Sequence, residues 1–99
     1  MIPKIHPEAR LEMREAARYY QQFSEQLPGR LREELNQAIS NAVENPRHFP
    51  ILENDWRKIR LHRFPFGLIY GKSGNELQVI AFAHHKRVPG YWKKRSLTE

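Results

Sequence analysis

A run of basic side chains in the second half of the sequence is the first feature whose residue types and spacing could do chemistry. Its members are Arg57, Lys58, Arg60, His62 and Arg63. In a strand, alternation places Lys58, Arg60 and His62 on one face at intervals of about 6–7 Å, near the phosphate spacing of a single nucleic-acid strand. Arg57 and Arg63 then lie on the other side. The pattern predicts a phosphate-binding face; the alternative is the solvated outer face of an antiparallel sheet.

Two adjacent histidines, His84 and His85, are the candidate acid–base groups, because an imidazole titrates near neutral pH. Neighbours on a strand point to opposite faces, so this pair is poorly suited to chelating one metal ion. The sequence contains no cysteine and no histidine spacing typical of a metal site. We therefore expect no metal and no cofactor. One histidine is expected to be a partly buried structural residue, and the other stays open as a general acid or base.

A third cluster follows at residues 91–95, where Tyr91 and Trp92 precede Lys93, Lys94 and Arg95. Aromatic side chains beside cations can stack on nucleic-acid bases. The alternative, which we favour for Trp92, is that these aromatic rings close the core of a small domain. We expect residues 91–99 to form a basic tail.

The basic charge is confined to one half of the chain. The whole sequence carries a net charge of +6; residues 1–54 hold seven basic and eight acidic residues, whereas residues 55–99 hold ten basic and three acidic residues. Such asymmetry favours a nucleic acid or an acidic protein as partner. The alternative is a solvated basic surface that has no dedicated partner.

The elements that must position these side chains can be read from the spacing of apolar residues. Residues 2–5 are compatible with a short edge strand. Helical spacing then runs from Pro7 to about Gln26, and Leu27-Pro28-Gly29 is expected to break it. A second helix is predicted from Arg30 to Glu44, ended by Asn45-Pro46. The two helices are expected to form an antiparallel hairpin.

The second half of the chain changes to the period of a β-strand. After a predicted loop over residues 47–55, strands are expected over 56–62, 66–70 and 77–83, the last nearly all apolar as for a strand covered on both faces. This order predicts an α+β fold in which an N-terminal edge strand and a three-stranded antiparallel meander carry the hairpin on one sheet face.

The length and composition fit one domain over residues 1–99. The hydrophobic content of 39% is spread along the chain. No apolar run approaches the roughly 20 residues of a membrane-spanning helix, and the N-terminus lacks the pattern of a signal peptide. We expect a cytoplasmic protein that has no membrane partner. P-loop, dinucleotide-loop, nucleophile-elbow and paired-carboxylate motifs are absent from the sequence.

These features together resemble the RelE/ParE superfamily of bacterial toxins from type II toxin–antitoxin modules. The resemblance runs along nearly the whole chain and rests on the following pieces in order: Pro7-Glu8-Ala9, Ala16-Ala17-Arg18-Tyr19-Tyr20, Asn45-Pro46 with Phe49-Pro50, Arg57-Lys58-Ile59-Arg60-Leu61, Arg63-Phe64-Pro65-Phe66 with Tyr70, and Ala83-His84 before Arg87-Val88-Pro89-Gly90-Tyr91-Trp92. It implies a small α+β toxin that a cognate antitoxin neutralises by wrapping the helical hairpin and the sheet.

Two activities occur among the proteins that this chain resembles. One branch cleaves mRNA in the ribosomal A site, and the other poisons DNA gyrase without acting as a nuclease. The mRNA-cleaving branch usually carries an arginine on the strand before its closing tyrosine, where this chain has Gly67-Leu68-Ile69. A missing transition-state cation counts against phosphoryl chemistry unless Arg63 or Arg87 replaces it. The Arg-Phe-Pro-Phe pattern that leads to Tyr70 looks more like the gyrase-poisoning branch.

The resemblance therefore predicts a toxin that inhibits DNA gyrase; the alternatives are a ribosome-dependent mRNA endoribonuclease and a non-toxic nucleic-acid-binding module. Contacts to the target or to phosphate are expected from Arg57, Lys58, Arg60, Arg63, Arg87, Lys93, Lys94 and Arg95. Contacts to the antitoxin are expected from Tyr20, Phe23, Leu31 and Leu35. If the protein is an endoribonuclease, the expected catalytic residues are His84, His85 and Tyr91.

Overall fold

The fold is a five-stranded sheet with a helical hairpin on one face. The computed structural model describes residues 2–95. The elements, in chain order, are β1 (Pro3–Ile5), α1 (Pro7–Gln21), α2 (Leu27–Glu44), β2 (Ile51–Glu53), β3 (Trp56–Arg60), β4 (Phe66–Ser73) and β5 (Glu76–His84). The strand order is β1-β5-β4-β3-β2. β1 pairs with β5 in parallel, and the other neighbours are antiparallel. The predicted α+β fold and its hairpin are confirmed.

Two helix boundaries differ from the prediction, which ended the first helix at about Gln26 and began the second at Arg30. α1 starts at Pro7, where the His6 Nδ1 atom accepts a hydrogen bond of 3.0 Å from the Glu8 N–H. α1 ends at Gln21, and α2 already begins at Leu27. The segment Leu27-Pro28-Gly29 was predicted as a break, yet it opens α2, because a proline in the first turn loses no helical hydrogen bond. None of the described helices, within residues 2–95, is long and apolar enough to cross a membrane.

The strand β2 lies where the sequence predicted only a loop. Its three residues are all exposed, so no buried alternation announced it. Asn54 follows in the left-handed region, with φ of 53°, and reverses the chain into β3. Asparagine tolerates that conformation better than other non-glycine residues. β2 therefore adds an edge to the predicted meander without changing the layers.

The core lies on both faces of the sheet. On the inner face, the helical hairpin covers buried side chains of β4 and β5, including Leu68, Tyr70 and Phe82. On the outer face, Trp92 is only 3% exposed and packs with Ile80 and other small apolar residues. The bulge that shifts the β4–β5 register turns Ile80 toward this outer cluster. The prediction that residues 77–83 form a strand covered on both faces is confirmed.

Candidate functional site

Basic side chains from β3 and from the end of β5 lie close together on the outer face of the sheet. Lys58 and Arg60 lie on the same face of β3, and Arg60 is paired with Gly67 of β4, which in turn is paired with Ala83 of β5. His85 directly follows the end of β5 and lines the same depression as Lys58 and Ala83. We call Lys58, Arg60 and His85 the cation cluster. His62 lies just past the end of β3 and lines the same depression as Lys58 and Arg60.

The side chain of Lys58 crosses β4 directly above Gly67. A Cβ atom added to Gly67 would come to within 2.3 Å of the Lys58 Cε atom. No other residue type at position 67 leaves this path open, so Gly67 allows the ammonium group of Lys58 to extend over the sheet in the direction of β5. Gly71, four residues further along the same face, makes similar room for the ring of Trp56.

The members of the cation cluster disfavour one another's charge. Partial burial and the charge of Arg60 lower the pKa of Lys58. Partial burial and then the charges of Lys58, Arg60 and His84 lower the pKa of His85. Among the ion pairs found within residues 2–95, none involves Lys58 or Arg60. An anion placed among these groups would relieve their repulsion.

The cations near the C-terminus are arranged differently, around one carboxylate of α1. The Glu12 side chain, which is 10% exposed, accepts hydrogen bonds from the Tyr91 hydroxyl at 2.6 Å, from the Arg95 guanidinium at 2.8 and 3.0 Å, and from the Phe82 N–H at 3.0 Å. Arg87 lies 3.7 Å from the same carboxylate. We call these groups the Glu12 network. It ties residues 87–95 to the edge of β5 that β1, being short, leaves unpaired.

The Glu12 network fixes the protonation of its members. Burial alone would raise the pKa of Glu12, but the hydrogen bonds from Arg95, Tyr91 and the Phe82 N–H outweigh it and hold that pKa below its usual value. Burial, together with the hydrogen bond to the ionised Glu12, holds the pKa of Tyr91 well above its usual range. Tyr91 therefore stays protonated and donates a hydrogen bond to Glu12, which makes it a poor proton source for a substrate.

The eight cations expected to contact a target thus divide into two groups. Internal contacts engage Arg57, which donates to the Phe49 carbonyl at 2.7 Å, and Lys93, whose ammonium lies 2.7 Å from Glu53, as well as Arg87 and Arg95 of the Glu12 network. Within residues 2–95, the side chains of the other four have no hydrogen-bonded or ionic partner: Lys58, Arg60, Arg63 and Lys94. Residues 96–99 of the expected basic tail lie outside the described residues.

An apolar groove of about 690 Å³ separates α1 from the outer edge of β5. Its lining includes Tyr19, Tyr20, Phe23, Leu27, Phe66, Phe82 and His84, with Glu12, Glu15 and Arg87 at its rim. Tyr19 and Phe23 are 53% and 65% exposed, and together they form an apolar patch that no other part of residues 2–95 covers. We call this the α1–β5 groove. Two of the residues expected to bind an antitoxin, Tyr20 and Phe23, line it.

Two other expected antitoxin contacts lie elsewhere. Leu31 and Leu35 are only 2% and 9% exposed and belong to the core between the hairpin and the sheet. Their apolar stripe on α2 faces β4 and α1, so a partner at the surface does not reach them. The structure therefore places Leu31 and Leu35 in the core and not at the surface, where a contact with an antitoxin would have to lie.

The adjacent histidines do separate onto two faces. His84 lines the α1–β5 groove, where its ring meets Phe66 edge to face and its Nδ1 atom accepts the Lys86 N–H at 3.0 Å. His85 joins the cation cluster. Among residues 2–95 no group of three potential ligands is arranged to hold a metal ion. His84 is thus the partly buried histidine, with its ring held by contacts within the fold, whereas the side chain of His85 is exposed.

Sequence reasoning missed two residues that organise these surfaces. Glu12 lies three residues after Ala9 and four before Ala16, on the buried stripe of α1, and an acidic residue on such a stripe is itself a signal of a buried partner. Gly67 gave no comparable signal, because its role depends on a side chain that comes from the neighbouring strand.

Comparison with known proteins agrees with this architecture. A chain of the chromosomal ParDE toxin–antitoxin system from P. aeruginosa superposes with a TM-score of 0.62 at 16% identity, covering 85% of this chain and 95% of that chain. This likeness shows a shared fold. Four solved chains match in all, whereas no curated protein does.

The match to a family model is more specific. Residues 4–89 match the model of the ParE toxin of the type II toxin–antitoxin system parDE. The fold and this match place the protein among the RelE/ParE toxins. Within that superfamily, the chain belongs to the ParE toxin family, as its Arg-Phe-Pro-Phe pattern indicated.

Proposed function

We propose that this type II toxin acts by inhibiting DNA gyrase and that a cognate antitoxin neutralises it by occupying the α1–β5 groove. The proposed inhibition of gyrase is supported mainly by the match of residues 4–89 to the ParE family. The geometry of the sheet supports the same choice. Where the mRNA-cleaving branch usually carries an arginine, β4 has Gly67 and the buried Leu68 and Ile69, so β4 itself supplies no cation, although Lys58 of β3 extends over Gly67.

The protonation of Tyr91 also favours an inhibitor over a nuclease. A nuclease needs a group that gives up a proton to the leaving oxygen near neutral pH. Tyr91 is held protonated by Glu12, and its hydroxyl is 2.6 Å from that carboxylate. Tyr91 is therefore a poor candidate for that group, which supports a protein that acts by binding its target.

The α1–β5 groove suits an extended apolar segment of the antitoxin. β5 continues past Val79, the last residue that β1 pairs, but the Glu12 network already binds the Phe82 N–H and the Ile80 carbonyl of that edge. The segment is therefore expected to bind through apolar side chains that cover Tyr19 and Phe23. The net charge of +6 favours a segment that also carries acidic residues.

Pulse-labelling of DNA and protein synthesis after induction of this chain in bacteria tests the proposed target. We expect DNA synthesis to fall first, and we expect the purified protein to block supercoiling by gyrase. For the antitoxin, Phe23→Asp should weaken binding of the antitoxin encoded beside the toxin without changing gyrase inhibition, whereas Arg32→Gln on the exposed face of α2 should change neither. Inhibition without any effect of Phe23→Asp on antitoxin binding would contradict the assigned groove.

A ribosome-dependent endoribonuclease is the second candidate. It is favoured by the cation cluster, in which His85 stands beside two cations suited to a phosphate. In this case protein synthesis would fall first, and His85→Ala would abolish killing while leaving antitoxin affinity unchanged. If neither synthesis falls while soluble protein accumulates, the chain is a non-toxic binding module and both toxin proposals fail.

A further inference from the structure

The cation cluster has the geometry of a binding site rather than of a solvated surface. Lys58 and Arg60 belong to β3, and His85 directly follows the end of β5, so β4 lies between them. Lys58 bridges this gap because Gly67 leaves its path clear. Solvated lysines normally extend into water, where their charge is best hydrated. Here the side chain instead lies across the sheet, next to like charges.

The chemistry of the three groups selects a phosphate-like anion. An ammonium group offers a compact charge, a guanidinium offers paired donors, and an imidazole offers one further N–H. These donors match the oxygens of a single tetrahedral anion, and no carboxylate within residues 2–95 pairs with Lys58 or Arg60 to compete for the site.

The surroundings favour an anion that is part of a long polymer. Arg60 and His85 are exposed, and His62 extends the basic surface along the depression beside β3. A site of this kind lies open on a sheet face and is not enclosed, so a chain of phosphates can pass over it. The positive charge of the second half of the sequence adds long-range attraction for such a polymer.

We propose that Lys58, Arg60 and His85 together bind one phosphodiester group of DNA, with Gly67 holding open the path of Lys58. This inference rests on the proposed action on gyrase for its biological setting, because the DNA that gyrase holds then forms part of the surface that the toxin grips. The site itself is a property of the isolated protein and can be tested without gyrase.

The test measures binding of a short, labelled DNA duplex to the purified protein by fluorescence anisotropy at several salt concentrations. Lys58→Met keeps the length of the side chain and removes its charge; Arg60→Gln is an exposed second variant. Each is expected to raise the Kd about tenfold, as loss of a charge-assisted hydrogen bond does, and to reduce the salt slope by about one.

Two further variants separate a built site from general attraction. Gly67→Ala leaves the net charge unchanged but displaces the Lys58 side chain, so it should weaken binding nearly as much as Lys58→Met. Lys72→Met removes one charge from an exposed lysine at the far end of β4 and should weaken binding less than about threefold, because that charge is screened at this distance. Circular dichroism and thermal unfolding check that every variant is folded.

Several results would overturn the proposal. Equal losses for Lys72→Met and Lys58→Met, or unchanged binding by Gly67→Ala with the fold intact, would mean that net charge alone attracts DNA. Tight binding of an RNA of the same sequence with no binding of the duplex would replace DNA by RNA. Displacement of the duplex by equimolar inorganic phosphate would identify a free anion as the ligand.

Gyrase assays on the same variants distinguish failure of the proposed function from failure of the phosphodiester site. If wild-type protein fails to inhibit gyrase but the variants show the expected order in DNA binding, the gyrase proposal fails and the site stands. If gyrase is inhibited equally by wild type, Lys58→Met and Gly67→Ala, and DNA binding does not change either, the site fails and the gyrase proposal stands.

Discussion

Two basic regions lie next to each other on this small protein, and they differ in what holds their charge. In residues 87–95, Arg87 and Arg95 meet Glu12, and Lys93 meets Glu53. In the cation cluster, Lys58 and Arg60 pair with no carboxylate among residues 2–95. The carboxylate that engages Arg87 and Arg95 is distant in sequence, since Glu12 and Tyr91 are 79 residues apart. A cation in a basic run is therefore left for a target only where the fold brings it neither a carboxylate nor a backbone carbonyl.

The largest effect on stability is expected from removing the buried side chain by which residues 87–95 pack on the sheet. Trp92→Ala deletes a side chain that is 3% exposed and that covers Ile80 and its neighbours on the outer sheet face. We expect the free energy of unfolding to fall by about 4 kcal/mol, as for other buried aromatic residues. Urea unfolding followed by fluorescence of the remaining tryptophan measures it. A loss below about 1 kcal/mol would mean that the segment does not contribute to the core.

The next largest effect is expected from Glu12→Gln. This change leaves Arg95, whose side chain is 14% exposed, without its charged partner, and weakens the bonds to Tyr91 and to the edge of β5. Breaking a buried pair in this way should cost about 3 kcal/mol. Glu15→Gln, at an exposed position one turn away on α1, is the matched control and should stay within about 0.5 kcal/mol of wild type. Similar losses in the two variants would contradict the network.

The Glu12 network also predicts how stability depends on pH. The pKa of Glu12 is below its usual 4.5 in the folded protein, so the native state binds fewer protons than the unfolded chain in that range. Its contribution is fully present above about pH 5 and is lost as the pH falls through the folded pKa. The stability difference between wild type and Glu12→Gln should therefore be constant above pH 5 and shrink below it. A difference that grows in acid would contradict this sign.

Tyr91→Phe tests a single bond of the network and also the role of the phenol. Loss of a hydrogen bond to a carboxylate should cost about 1.5 kcal/mol. Because the hydroxyl serves the fold, we expect growth inhibition to persist once expression is matched. Abolished toxicity at unchanged stability, measured by plating and by thermal unfolding, would return Tyr91 to a catalytic role.

The smallest effect on stability is expected in the cation cluster itself. Lys58→Met should change the free energy of unfolding by no more than about 0.5 kcal/mol, because no partner is lost and repulsion from Arg60 is relieved. Denaturant unfolding beside wild type measures it. A large destabilisation would mean that Lys58 is held for the fold and not for a ligand.

The sequence predicted most of the fold because its periodic segments are long. The stripe of α2 and the apolar run of β5 announced a helix and a strand covered on both faces, and Asn45-Pro46 announced the end of α2. β2 was missed because its residues are exposed, and the start of α2 was misplaced because Pro28 was interpreted as a break rather than a first turn. The spacing of apolar residues therefore predicts a helix or strand correctly where the buried side chains recur at regular intervals.

The surfaces were less accessible to sequence reasoning. The alternation of Lys58 and Arg60 was visible, as was the separation of His84 from His85. Contacts across the chain were not visible: the carboxylate of Glu12 beside Arg95, the carbonyl of Phe49 beside Arg57, and the path of Lys58 over Gly67. Each depends on tertiary packing, which decides whether a cation is used internally or left for a partner.

The most direct test of this account is inhibition of gyrase supercoiling by two folded variants compared with wild type. The double variant Lys58→Met/Arg60→Gln removes the cation cluster, and Tyr91→Phe alters the Glu12 network. The account predicts that Tyr91→Phe inhibits like wild type, whereas the double variant needs at least about tenfold more protein. Full inhibition by the double variant together with loss of inhibition in Tyr91→Phe would contradict it.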